Sequence, residues 1–158
     1  MALARIASDA ERASCARTID GWARARLAEG GSLVAVDRHV HEDRWYLRLR
    51  GEEKDFVTVW LTMRQRTLGH EAQLMPAPET NARETFEYLL RRNSEIRQMR
   101  FALGPEDAVY LVGEIPVSEV NEDELDRVVG SSLAYVDATF PTAMTVGFAG
   151  LYRRKRGS

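Results

Sequence analysis

The amino-acid sequence predicts an α+β protein in which an antiparallel sheet packs against helices. Six segments alternate apolar and polar residues with a period of two, which is typical of strands with one buried face. The turns between neighbouring strands are short, and short turns favour antiparallel pairing. Three further segments repeat apolar residues at helical spacing and divide the strands into a run of four and a run of two. The predicted order is therefore α-β-β-β-β-α-β-β-α, a grouping typical of α+β folds.

The clearest patterns lie between residues 97 and 140. Apolar residues alternate over 99–103 and again over 109–117, with a Gly104-Pro105 turn between them, which predicts a β-hairpin. Asn121 and Glu124 have the spacing of a capping box at the start of the third helix. The apolar stripe of that helix comprises Leu125, Val128, Val129, Leu133, Val136 and Phe140, and Pro141 lies just past it.

The other elements are predicted from the same two periodicities. The first helix runs from about Ser8 to Glu29 and ends at a glycine pair, because glycine is the usual helix terminator. Strand patterns follow over residues 34–40, 45–50, 56–63 and 67–74. The second helix begins near Asn81, with Glu84 as its capping partner and with Phe86, Leu89 and Leu90 as its buried stripe. Residues 145–152 are too rich in glycine to assign.

Length and composition are those of one globular domain. We expect a single domain over residues 1–158, with a core at about 8–148 and a basic, mobile tail at 149–158. The formal net charge of −2 gives no whole-molecule attraction to nucleic acid or to an anionic membrane. A single cysteine, Cys15, excludes an intrachain disulfide, and no apolar run is long enough to span a bilayer. We therefore expect a cytoplasmic protein.

Few residues of this sequence point to catalysis or metal binding. Asp37, His39 and His41 project to one side of a predicted strand, which leaves a small metal site as an alternative to a solvated polar face beside a turn. His70 is interpreted as a satisfied core histidine or an edge histidine. Ser131-Ser132 lacks the strand-to-helix turn of a nucleophilic serine, and no glycine-rich phosphate loop is present in the sequence. We expect neither enzymatic activity nor a bound cofactor or metal.

The more informative surface is the row of the sheet that faces away from the predicted helices. Its residues are Tyr46, Arg48, Phe56, Trp60, Arg64, Arg100, Tyr110 and Val112. Aromatic residues mixed with arginine are enriched at protein interfaces and their hot spots, although the same mixture also stacks nucleic-acid bases on some sheets. A third interpretation is that a helix or the tail covers the row within the monomer. The candidate protein-binding residues are Tyr46, Trp60, Arg64, Arg100 and Tyr110.

Several segments together resemble a known family. They are Arg91-Arg92-Asn93, Arg100-Phe101-Ala102-Leu103, the run from Val109 to Pro116, Glu124-Leu125-Asp126-Arg127 and Tyr135-Val136-Asp137. In these segments the chain resembles the YbjN family of bacterial proteins, over about residues 34–148. The resemblance implies a fold similar to type III secretion chaperones, which are small and commonly dimeric, with a twisted antiparallel sheet packed on helices. The family also carries the label of sensory transduction regulator, and the resemblance brings no catalytic residues.

The first functional hypothesis is a non-enzymatic protein-binding module that holds an extended segment of a partner against sheet or helix surface. The partner is another protein, and a homodimer is a further possibility. The second hypothesis is a regulator that binds nucleic acid through the arginine-bearing sheet face and the basic tail, Arg153 to Arg156. The third is a metal protein centred on Asp37, His39 and His41. A resemblance in fold does not choose among them, because one fold hosts many functions.

Overall fold

Six strands and three α-helices make up the computed structural model, which describes residues 3–155 except for the side chain of Val40. The helices are α1 (Asp9–Glu29), α2 (Ala82–Asn93) and α3 (Glu122–Gly147). The strands are β1 (Leu33–His39), β2 (Arg44–Arg50), β3 (Phe56–Met63), β4 (Thr67–Met75), β5 (Arg100–Leu103) and β6 (Val109–Pro116). The order along the chain confirms the predicted α+β class.

All six strands form one antiparallel sheet with the order β1-β2-β3-β4-β6-β5. The first four strands are sequential neighbours joined by short turns. The hairpin of β5 and β6 joins the sheet by pairing β6 with β4, for example Leu68 opposite Ile115. Alternate residues of each central strand face opposite sides, so Val57, Val59 and Leu61 are fully buried on one side of β3.

The helices pack on that buried side of the sheet, and α1 docks on its own sheet. The indole nitrogen of Trp45, on β2, donates a hydrogen bond to Asp20 of α1 at 2.8 Å. The indole nitrogen of Trp22, on α1, donates to Asp126 of α3 at 2.8 Å. These two bonds satisfy the polar atoms of buried tryptophans and fix α1 between the sheet and α3.

Helix α3 continues beyond the position where its apolar stripe was predicted to stop. Pro141 lies inside the helix, which ends only at Gly147. Its last carbonyl groups find donors in the loop before α2, since the backbone N–H groups of Glu79 and Thr80 each donate to the Gly147 carbonyl at 2.9 Å. The hydroxyl of Thr80 also donates to the Val146 carbonyl at 2.9 Å. The extension is therefore stabilised by contacts with residues distant in sequence.

Helix α2 begins where the sequence predicts, directly after Asn81, but its capping differs from the prediction. Asn81 precedes the helix with a left-handed backbone (φ 47°), and its side chain makes no capping bond to the helix. Its amide instead donates to the Val146 carbonyl at 3.1 Å, and Glu84 is exposed. Leu89 is buried as predicted, but Leu90 is 70% exposed, so it does not belong to the buried stripe.

The first residues of the basic tail lie against the turn between β2 and β3. The rings of Tyr152 and Phe140 meet edge to face, with centroids 5.5 Å apart. Arg154 pairs with Glu53 at 2.6 Å, and Lys155 pairs with Asp55. Arg156, the last basic residue named in the prediction, lies outside the described residues.

Candidate functional site

One row of side chains crosses the whole sheet on the side away from the helices, which we call the open face. Opposite residues follow one another from β1 to β5 in the order Asp37, Tyr46, Trp60, Glu71, Val112 and Arg100. This register brings three of the five candidate residues into one line. Tyr110 lies in the next row, opposite Gln73. The alternation predicted from sequence therefore places four of the candidates on one surface.

The aromatic rings of the open face touch one another. Tyr46 and Trp60 meet edge to face with centroids 5.9 Å apart, and Trp60 and Tyr110 do so at 6.3 Å. All three side chains are only partly buried. Within residues 3–155, the helices and the tail lie elsewhere, so neither covers this row. The hypothesis that the monomer buries its own aromatic row is therefore wrong for this part of the chain.

Arginine side chains surround the aromatic cluster. The Arg44 guanidinium lies 5.6 Å from the Trp60 ring centroid and 3.7 Å from the Glu71 carboxylate. Arg64 comes after the end of β3, yet its guanidinium lies on the open face above Gly69, where an added Cβ would be 2.8 Å from Nη1. The missing side chain of Gly69 thus makes room for the fifth candidate residue.

The charges on the open face are mixed. It carries the arginines at 44, 48, 50, 64 and 100 and the acids at 37, 71 and 114. Arg48 stacks on Phe56, with its guanidinium carbon 3.8 Å from the ring centroid. The face is therefore an aromatic surface with a small positive excess on a chain whose net charge is −2.

Side chains form hydrogen bonds with backbone groups at both edges of the sheet. On β5, the backbone N–H of Phe101 donates to the Asn93 side-chain oxygen at 2.7 Å, and the Asn93 amide donates to the Phe101 carbonyl at 3.2 Å. On β1, the backbone N–H of Arg38 donates to the Asp37 carboxylate at 2.9 Å. Both contacts hinder the addition of a further strand, a common protection of sheet edges.

A polar cleft of about 530 Å³ lies beside the β5–β6 hairpin, on the helix side of the sheet. Its lining residues are His70, Gln98, Met99, Arg100, Glu114, Ile115, Pro116, Glu119, Glu124, Arg127 and Val128. Sequence analysis missed this cleft, because the residues come from β4, the hairpin, the turn before α3 and α3 itself. By its register Arg100 belongs to the row of the open face, but it also lines the cleft, so it lies between the two surfaces.

His70 is buried in the wall of this cleft. Its hydrogen-bonding groups are not all paired, and it does not lie on an edge strand of the sheet, so both interpretations from the sequence are wrong. It lies on the central strand β4, is 3% exposed, and its Nδ1 finds no hydrogen-bond partner among the residues described. Gly113 lies opposite it, and a Cβ there would be 2.5 Å from the His70 Cε1 atom. Burial, then the positive charges of Arg127 and Arg100, lower the pKa of His70 to about 4. The imidazole is therefore neutral at neutral pH.

The paired charges in the cleft form a structural ion pair. Arg127 donates two hydrogen bonds to Glu124, at 2.9 and 2.6 Å, and a third to the side-chain oxygen of Gln98. Arg127 holds the pKa of the Glu124 carboxyl below its usual range. Gln98 has a left-handed backbone (φ 64°). In the part of the chain that the structure covers, no serine, threonine or cysteine lines this cleft, so no hydroxyl or thiol lies beside the imidazole.

The predicted metal arrangement does not form. His39 and Asp37 share the outer face of β1, with 3.9 Å between Nε2 and Oδ2, but both side chains are largely exposed. His41 lies in a short 3₁₀ turn, Val40–Glu42, and not on the strand. Over residues 3–155, no group of three or more histidine, cysteine, aspartate or glutamate side chains is placed to hold a metal ion.

None of the helices within residues 3–155 combines the length and the apolar character that crossing a bilayer requires.

Comparison with known proteins connects this fold to one family. Residues 27–143 match the model of the YbjN family, described as "Putative bacterial sensory transduction regulator". Uncharacterized proteins of Mycobacterium tuberculosis and Mycobacterium bovis are each 31% identical over 109 residues, 69% of this chain and 60% of theirs. One of Mycobacterium leprae is 30% identical over 105 residues, 66% of this chain and 57% of that protein. The chain thus spans less than two thirds of these relatives. The match confirms the predicted resemblance, and the chain belongs to the YbjN family.

Proposed function

We propose that this protein is a non-enzymatic regulatory module that binds a partner protein through the open face of its sheet. The observation that carries the proposal is the contacting cluster of Tyr46, Trp60 and Tyr110, partly exposed on a face that the described helices leave uncovered. Clusters of this kind supply most of the binding energy at protein interfaces. The family description, a regulator of sensory transduction, is consistent with this role.

The residue types favour a protein partner over nucleic acid. Binding to a phosphate backbone relies on a surplus of positive charge. Here five arginines share the open face with three acids, and Arg44 is already paired with Glu71, so the positive surplus is small. An aromatic centre with arginines and acids around it is the composition of a protein interface core and its polar rim.

We infer that the partner does not bind by adding a strand to an edge of the sheet. The Asn93 contact with Phe101 and the Asp37 contact with Arg38 occupy backbone groups that a new strand would need at the two edges. We infer that the partner lies across the face and is held by side chains. A secretion-chaperone-like role, in which an extended segment is kept on the sheet, is the form of this proposal that the resemblance favours.

The decisive experiment compares a double variant of the aromatic cluster with a matched control. Trp60→Ala with Tyr110→Ala removes two rings of the cluster. Leu90→Ala with Leu103→Ala removes apolar groups that are 70% and 53% exposed on the other side of the sheet. Both proteins are checked by circular dichroism and then used to capture partners from a bacterial lysate, with quantitative mass spectrometry as the readout.

We expect the first variant to lose its specific partners and the second to retain them. A photo-crosslinking residue at Thr58 or Thr62, on the open face, should then attach to the same partner. If the folded aromatic variant keeps every partner, the open face is the wrong surface. If nucleic acid is captured with a steep dependence on salt, the regulator binds nucleic acid instead. If the crosslink joins two copies of this chain, the partner is a second copy.

A further inference from the structure

The polar cleft beside the β5–β6 hairpin combines an apolar floor with a charged rim. The floor consists of Met99, Ile115 and Val128, which are 6%, 4% and 2% exposed. The rim consists of exposed ends of the hairpin and of the turn before α3. A cleft of about 530 Å³ falls within the range of small-molecule sites.

Three charged residues on the rim have no ion-pair partner among the described residues. Arg127 and Glu124 neutralise each other, and Arg127 also binds Gln98. In contrast, none of Arg100, Glu114 and Glu119 forms a salt bridge with any residue of the described chain. One arginine and two glutamates that line the cleft are thus left without an ion pair.

The His70 ring adds a buried polar atom to the same wall. Its Nδ1 has no hydrogen-bond partner in residues 3–155, and leaving such a nitrogen unpaired is costly. The ring lies over Gly113, where no side chain separates it from the hairpin. That nitrogen is itself enclosed by protein atoms, so His70 contributes a buried ring to the cleft wall and not a contact atom for a ligand.

We propose that this cleft binds a small zwitterion with an apolar body, of the class of free aliphatic α-amino acids. The ligand carboxylate pairs with Arg100, the ammonium group pairs with Glu119, and the aliphatic side chain lies on Met99, Ile115 and Val128. A simple anion fits less well, because Glu114, Glu119 and Glu124 also line the cleft. This site is separate from the proposed partner-binding surface, although Arg100 contributes to both.

The test uses three probes of nearly the same shape. L-Leucine carries both charges, 4-methylpentanoate carries only the carboxylate, and 3-methylbutylamine carries only the ammonium group. Binding is followed through the imidazole NMR signals of His70, which are assigned by their loss in His70→Gln. The chain has only three histidines, so the assignment is direct.

We expect leucine to shift the His70 signals in a saturable way and each single-charge analogue to bind at least about tenfold more weakly, because each lacks one charged hydrogen bond. Arg100→Gln and Glu119→Gln should each weaken leucine binding by a similar factor. Arg91→Gln, which removes an exposed arginine paired with Glu87 on α2, is the matched control and should leave binding unchanged.

Three results would overturn the proposal. They are the absence of a saturable shift with leucine, isoleucine or valine up to about 10 mM, equal binding of leucine and its single-charge analogues, and unchanged binding in Arg100→Gln and Glu119→Gln. None of them bears on the partner-binding proposal, which is tested with Trp60 and Tyr110. The two proposals can therefore fail independently.

Discussion

The carboxylate of Asp137, on α3, accepts the backbone N–H of Lys54 at 2.9 Å and thereby ties the third helix to the turn between β2 and β3. The same carboxylate accepts the N–H groups of Glu53 and Glu52 at 2.9 and 3.1 Å. Three backbone donors around one acid form a small anion-binding turn that the protein fills with its own side chain.

We expect Asp137→Asn to lower the free energy of unfolding by about 2–3 kcal/mol, because hydrogen bonds to a charged acceptor are stronger than neutral ones and an amide places a donor against a donor. Urea denaturation measures this change. Asp123→Asn, in the exposed first turn of the same helix, is the control and should cost less than about 1 kcal/mol. Equal losses in the two variants would show that the turn is held by other contacts.

His70 gives the protein a specific dependence on pH. Its pKa falls from 6.5 to about 4 on folding, so the unfolded chain binds the proton more tightly. The contribution of the neutral ring to stability is complete above pH 6.5 and is lost as the pH falls towards 4. We expect a loss on the order of 2–3 kcal/mol over this window, which His70→Gln removes and His39→Gln retains. Parallel stability curves for wild type and His70→Gln would contradict the assignment.

Two glycines of the sheet differ in what an added methyl group would meet. At Gly113 it would press on the buried His70 ring and, at 2.9 Å, on the Gln98 carbonyl, neither of which moves easily. At Gly69 the three nearest atoms would all belong to the flexible end of Arg64. We therefore expect Gly113→Ala to destabilise by about 1–3 kcal/mol and Gly69→Ala by less than about 0.5 kcal/mol. Thermal unfolding of the two variants checks the ranking, and a reversed order would contradict it.

Asn93 protects the edge strand β5 by binding both backbone groups of Phe101. Its replacement by alanine should reduce the free energy of unfolding by about 1–2 kcal/mol and expose the strand to pairing with another chain. Sedimentation velocity should detect the resulting self-association. Ser94→Ala, which removes a bond from the same helix end to the Arg91 carbonyl, is the control and should remain unassociated. Association of the control as well would point to loss of α2.

The parts of the fold that were predicted correctly are those specified by local periodicity. Strand β3 has the predicted bounds, because Val57 to Met63 alternate without interruption. The same alternation placed Tyr46, Trp60 and Tyr110 on one surface, since neighbouring strands in register align their outward side chains.

The features that were missed depend on residues far apart in the chain. Helix α3 passes Pro141 because Thr80 and its neighbours bind the helix end. The side chain of Leu90 points to solvent although its spacing fits the stripe of α2. The cleft around His70 is assembled from four segments, so no single stretch of sequence contains its pattern.

The docking of α1 has a consequence for where this protein can be cut. The region shared with the family begins at residue 27, whereas Ile19 and Trp22 fill the interior and Asp20 holds the Trp45 indole. We expect a fragment limited to residues 27–143 to expose those apolar side chains to water, to lack the last turn of α3 and to aggregate. A fragment designed to keep the core intact therefore includes α1 and the whole of α3.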